Sequence, residues 1–412
     1  MRNQEAGSGS ASRSVACHDG PRWPTERAGR DVIVAQFGQG RADLMGWALT
    51  TGDPLADAVV EEMHALGRPV RAALHKGLTS GLASLTDSPP AVAALLAQCE
   101  SVPGYVDDEL LDRGSLPFFS SPAPAHAISL SAGALVRIYE SPSIAKVLAI
   151  TGQLLDGVPR RLQETGKWVV TAMLPGSLRR GEPGYVATVQ VRMLHAHIRR
   201  LALSKGYDPE VYGAPINQVD LARTWMDFTL TSYRAEARMG WDRTSAETAS
   251  LYRYWWYIAH LLGIDASLVQ GITSHLAAER VDELLQAVTG PAIPESSRLA
   301  SATLEAIAGD LQRLARIPTR VGLPVLYALT RRFHGRLAAE ELELPRAAAA
   351  DAALGPVIRV IGRRRVRLRR EPAAWHQRQE RALASAREAV GGPAEPTAYQ
   401  DPDQSPPAAS GA

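Results

Sequence analysis

From Asp53 onward the chain is divided by start and stop signals for helices, and their spacing restricts it to helical architectures. DPLADAVVEEMHALG has apolar positions at helical spacing, with Asp53 placed to cap, Pro54 just inside and Gly67 as the stop. SPPAVAALLAQCE repeats the device with Ser88 as the cap, and YVDDELLDRG makes a short helix ending in Gly114. Asn217 opens VDLARTWMDFTLTSYRAEARMG, with Asp220 three residues on, and Thr244 with Glu247 opens ETASLYRYWWYIAHLLGI, which closes at Gly263. Three further segments, from Ser267, Ser296 and Pro318, continue the pattern. This half of the chain has no strand alternation and no hairpin turn, so the expected class is all-α.

The 412 residues suffice for one large domain, and 45% hydrophobic with 21% charged residues is ordinary globular composition. A net charge of +2 gives no global reason to expect nucleic acid as a partner. Cys17 and Cys99 offer neither a disulfide framework nor a thiolate metal site. There is no apolar run of the ~18 residues that a membrane span needs, and no signal-peptide core or twin arginine. A cytoplasmic monomer is therefore expected. Residues 1–30 and 391–412 read as low-complexity tails around a helical domain over 31–390, with its core in 120–345. GxGxxG, P-loop, HExxH and GxSxG patterns are all absent.

Chemistry concentrates in two helical pieces between Gly157 and Leu203. At about 100° per residue, His195 shares its face with Thr188, Val191, Arg192, Ile198, Arg199 and Ala202, while His197 points elsewhere. A neutral imidazole at such a seam suits metal ligation, but a lone histidine on a partly apolar face is more often a hydrogen-bonded core or surface residue. In the preceding piece Asp156 can cap, Pro159 suits an early position, and Arg161, Thr165, Trp168 and Ala172 share a face. Small residues crowd the segment from Ser120 to Leu154, which suits close helix packing or space for a flat ligand. The cluster Tyr252, Tyr254, Trp255, Trp256 and Tyr257 suits core packing or the lining of an apolar pocket. His260 and His275, each on an apolar helix, are fallback ligands that read more readily as packing residues. Seven arginines between Arg359 and Arg370 suggest a solvated helix face or weak contact with an anionic membrane surface.

The pieces TGDPLADAVV, RRLQETGKWV, VRMLHAHIRR, PINQVDL and YWWYIAHLLGI, in this order and separation, resemble the latex-clearing protein (rubber oxygenase) family and the wider MpaB oxygenase group. The likeness runs from about Gly46 to Pro345. It implies a helical fold with a globin-like core holding haem b, with His195 as the proximal iron ligand. Arg161 and Thr165 match the RRLxET motif that family members need for haem retention or activity. Arg161, Arg192 and Arg199 become candidates for the haem propionates, and Arg161, Thr165 and Glu164 for catalysis. Glu164 stands where some relatives carry a distal lysine, and Glu140 is the other candidate distal carboxylate. The implied reaction uses O2 to split an isoprenoid double bond into a ketone and an aldehyde. Without an export signal, the expected substrate is a small isoprenoid or other apolar alkene rather than a polymer. A haem sensor, and a cofactor-free helical interaction protein, remain alternative readings.

Overall fold

A computed structural model describes residues 23–152 and 157–391, and no strand occurs among them. The all-α expectation holds. Several start signals act as the sequence implies. Asp53 accepts a hydrogen bond from the Ala56 amide at 3.2 Å and opens the helix Pro54–Leu66, which Gly67 ends at φ +71°. Thr244 and Glu247 form a reciprocal capping box at the start of Ser245–Leu261. Ser88 does not cap its helix, which runs Pro90–Glu100; the Glu62 carboxylate faces the free Ala91 and Val92 amides instead. The cap proposed for Asp156 lies outside the described residues, as do 1–22 and 392–412.

The N-terminal boundary needs correction. Residues 23–30 belong to the folded body, because the Arg27 guanidinium is buried between elements far along the chain. It makes two 3.1 Å bonds to Asp220 and further bonds to the Tyr212 and Thr289 carbonyls. The core also begins well before residue 120. Ile33, Met45, Leu49, Val59 and Leu95 are buried in the same apolar cluster as Trp225 and Trp255. A second cluster gathers Ala300, Leu304, Leu326, Phe333 and Leu344.

Two helices frame the region that the motifs single out. Val158–Met173 and Pro183–Ser204 form an antiparallel hairpin, called here the Arg161 helix and the His195 helix. Its tight end depends on Gly184: a Cβ there would lie 2.4 Å from Ser177 Oγ and 3.0 Å from Ala172 Cα. Only glycine permits that approach.

Two wide-turned π-helical stretches, Ser129–Leu135 and Asp227–Thr231, pack on each other inside the body. The small residues of the first serve close packing, since a Cβ at Gly133 would lie 3.3 Å from Ala235 Cβ. Of the aromatic cluster, Tyr252, Tyr254, Trp255 and Tyr257 are core residues. Trp168 joins them to the Arg161 helix through edge contacts with Phe228 and Trp255, at 5.7 and 6.3 Å between ring centres.

Candidate functional site at the Arg161 and His195 helices

Trp168 Nε1 donates to Thr188 Oγ1 at 3.2 Å and fixes the register of the hairpin. Moving away from that bond along both antiparallel helices, Thr165 comes level with Val191 and Arg161 with His195. The structure thus places Arg161, Thr165 and His195 along one seam. Val191 and Ile198 flank the histidine in the sequence; Ile198 packs toward Val147 and Ile150 of the helix Pro142–Ile150. One wall of the seam is therefore aliphatic.

His195 differs from the other histidines considered as ligands. The residue is half-buried, and its Nδ1 is enclosed without a hydrogen-bond partner. Burial, then the Arg199 guanidinium one turn on, push its pKa down to about 4, against a smaller opposing effect of Asp53. The ring is neutral at physiological pH, as an iron ligand must be. His260 is already engaged, with Nε2 3.1 Å from the Gln98 carbonyl, and His275 Nδ1 lies 2.9 Å from the Tyr252 hydroxyl. Unlike those two rings, His195 offers an enclosed Nδ1 with no partner among the described residues.

The two arginines beside His195 have different roles. Arg192 is locked inside the body: Nε and Nη2 bind Asp53 at 2.5 and 2.9 Å, and Nη1 donates to Gln98 Oε1 at 2.5 Å. Its guanidinium therefore fastens the His195 helix to the helices Pro54–Leu66 and Pro90–Glu100, which corrects its expected role at a cofactor. Gly263 makes this pair possible, because a Cβ there would meet Asp53 Oδ2 at 2.5 Å and Arg192 Nε at 2.6 Å. Arg199 binds Asp57 Oδ1 through Nε at 2.7 Å and the Ile216 carbonyl through Nη1 at 3.3 Å. Its Nη2 is buried without a partner, one helical turn from His195. An enclosed imidazole nitrogen and an enclosed guanidinium nitrogen so placed fit a group that offers both a metal and a carboxylate. Haem with its propionates is such a group.

The expected carboxylates are placed differently. Glu164 pairs with Arg160 at 2.7 Å, with its side chain 40% exposed, on the solvent side of the Arg161 helix. Glu140 is largely but not fully buried and bound to Arg223 at 3.1 Å; its removal from water is the main cause raising its pKa, against the pull of Arg223 and Arg137. It belongs to a network that the sequence does not reveal. Arg137 bridges Asp227 and Asp282 at 2.6 Å each, and Arg223 Nη2 donates to the Arg137 carbonyl at 3.0 Å. These residues lie far apart in the chain and come together at the two π-helical stretches, which have no sequence signature of their own.

Among the described residues no group of three or more His, Cys, Asp or Glu side chains could hold a metal ion. None of their helices is long and apolar enough to cross a membrane. No curated protein matches the chain. A solved structure described as "Structure of Latex Clearing Protein LCP in the closed state" is similar to it at TM-score 0.60 and 18% identity, over 82% of this chain and 90% of that one, which supports the fold alone. Residues 125–366 match the catalytic domain described as "ER-bound oxygenase mpaB/B'/Rubber oxygenase", and by that match over more than half its length the chain belongs to this family of oxygenases.

Proposed function

We propose that the protein is a haem-dependent oxygenase that uses O2 to oxidise or cleave a carbon–carbon double bond of an isoprenoid or other apolar substrate. The observation carrying this reading is the enclosed, unpartnered Nδ1 of His195, on the helix that bears the family's ligand motif, while His260 and His275 are hydrogen-bonded. Haem, when bound, supplies the oxygen chemistry. His195 would hold the iron as a neutral ligand. Arg199 Nη2, with Arg161 level with the histidine, would donate to the haem carboxylates, for which a guanidinium fork is suited. Ile198 and Trp168 supply apolar surface that excludes water from the seam. Cleavage of a trisubstituted alkene by O2 yields one ketone and one aldehyde and accounts for both oxygen atoms.

The test is purification after expression with a haem supply. The expected result is a Soret band, lost in His195→Ala and kept in His260→Ala and His275→Ala. Oxygen uptake with terpenoids or unsaturated lipids, with trapping of carbonyl products, then tests the reaction. A folded protein that takes up no haem overturns the reading.

A further inference from the structure

The arginine run lies on the helix Ala348–Arg369 and ends at Arg370, and the structure divides it into two faces with different roles. Arg365 and Arg369 turn inward. Arg365 donates to the Asp242 carbonyl at 2.7 Å, to the Ser120 carbonyl at 2.7 Å and to Ser120 Oγ at 3.0 Å. Arg369 pairs with Glu247 at 2.6 Å, and both guanidinium groups stack on Trp375, at 4.9 and 4.4 Å from the ring centre. On the same side Gly362 lies against Gly240, where a Cβ at Gly240 would meet the Gly362 amide nitrogen at 2.9 Å. The helix is thus fastened to the body along one side.

Its other side is unpartnered. Arg359, Arg363, Arg367 and Arg370 follow at spacings of four, four and three, with Arg364 beside them, and all five are exposed. Among the described residues no carboxylate pairs with any of them; Arg359 reaches only the Gly355 carbonyl of its own helix, at 3.4 Å. Val357, Val360 and Val366 stand on the same roughly half-circumference arc, 55%, 47% and 54% exposed. Arg359, Arg363, Arg367 and Arg370 with Val366 line an open groove of about 510 Å³.

We infer that this face docks on a membrane surface containing anionic phospholipid. The charge is of one sign and uncompensated, although the whole chain carries only +2, so the positive field is local to this helix. The valines identify lipid as the partner rather than nucleic acid: aliphatic side chains between cations gain by entering the headgroup boundary and gain nothing on a phosphate backbone. Arginine stems extend that apolar surface while their heads stay among the phosphates. The inward anchors hold the face rigid, so it needs no folding step to bind. The inference does not depend on the oxygenase reading, and either can fail without the other.

The test is co-sedimentation of the full chain with phosphatidylcholine vesicles, with and without phosphatidylglycerol. Binding should require the anionic lipid and weaken steeply as salt shortens the screening length. Each neutralised arginine lowers partitioning about fivefold, so R359Q/R363Q/R367Q should lower it about a hundredfold. R41Q/R68Q/R320Q changes the net charge equally at other exposed arginines and should leave binding unaltered. V357N/V360N/V366N should weaken vesicle binding while leaving any affinity for a labelled DNA duplex untouched. The inference is overturned by equal binding to neutral vesicles, by equal losses in the two arginine triples, or by duplex binding without vesicle binding. Unchanged circular dichroism of each variant excludes misfolding as the cause of a loss.

Discussion

Arg192 and Arg199 lie two helical turns apart on one helix and are alike in the sequence, but their surroundings give them opposite roles. Arg192 forms a buried fork with Asp53, and removing one partner of such a pair costs about 3–5 kcal/mol because the other charge is left buried. Arg192→Ala should lower stability by that amount in urea titrations; a loss under about 1 kcal/mol would show that the pair is not buried in solution. Arg199 pairs with Asp57, whose side chain is 40% exposed, and such a half-exposed contact is worth about 1 kcal/mol or less. Arg199→Ala should therefore keep the fold and lose haem affinity, read as faster transfer of haem to apomyoglobin. If transfer is unchanged, Arg199 does not hold the cofactor. Helical phase set His195 apart from His197 and put both arginines beside it. It could not tell which arginine was occupied, because that depends on Asp53 and Asp57, some 140 residues earlier in the chain.

At the scale of elements, caps and stops were readable wherever the partner was local, as at Asp53 and at the Thr244–Glu247 box. They failed where a distant side chain took over the work, as Glu62 does for Ser88. The π-helical stretches were unreadable for a related reason: they pack against each other across about 100 residues of sequence and carry no signature of residue type. The hairpin of the Arg161 and His195 helices depends on Gly184. Gly184→Ala forces a methyl group into Ser177 and Ala172 and should cost about 1–3 kcal/mol by overpacking. Because it wedges apart the two helices that form the site, haem retention should fall in parallel with stability. Loss of stability with haem binding intact would place the site elsewhere.

For the whole molecule, the all-α class followed from punctuation alone. Its true extent did not, since Arg27 and the N-terminal helices join the core by long-range contacts. The fold also determines how the protein responds to acid. Burial, with nearby arginines, pushes His275 and His334 down to about 4, from an unfolded value near 6.5. Between those values the unfolded chain binds more protons than the native one, so stability rises with pH there. The contribution is complete above about pH 6.5 and is lost as pH falls to about 4. Melting temperatures measured across this window should drop on acidification, and His334→Gln should flatten the slope. A flat profile in the parent protein would mean that both rings titrate normally.

The Arg27 anchor also constrains the order of events during synthesis. Asp220 is made 193 residues after Arg27, and Thr289 262 residues after it. At about 5–20 residues per second the ribosome needs roughly 10–40 s to deliver Asp220 after Arg27. The amino-terminal strap therefore waits, undocked, while most of the body emerges. Its closure cannot precede these partners, and residues 23–29 of a nascent chain should be open to proteases until Thr289 has left the ribosomal tunnel.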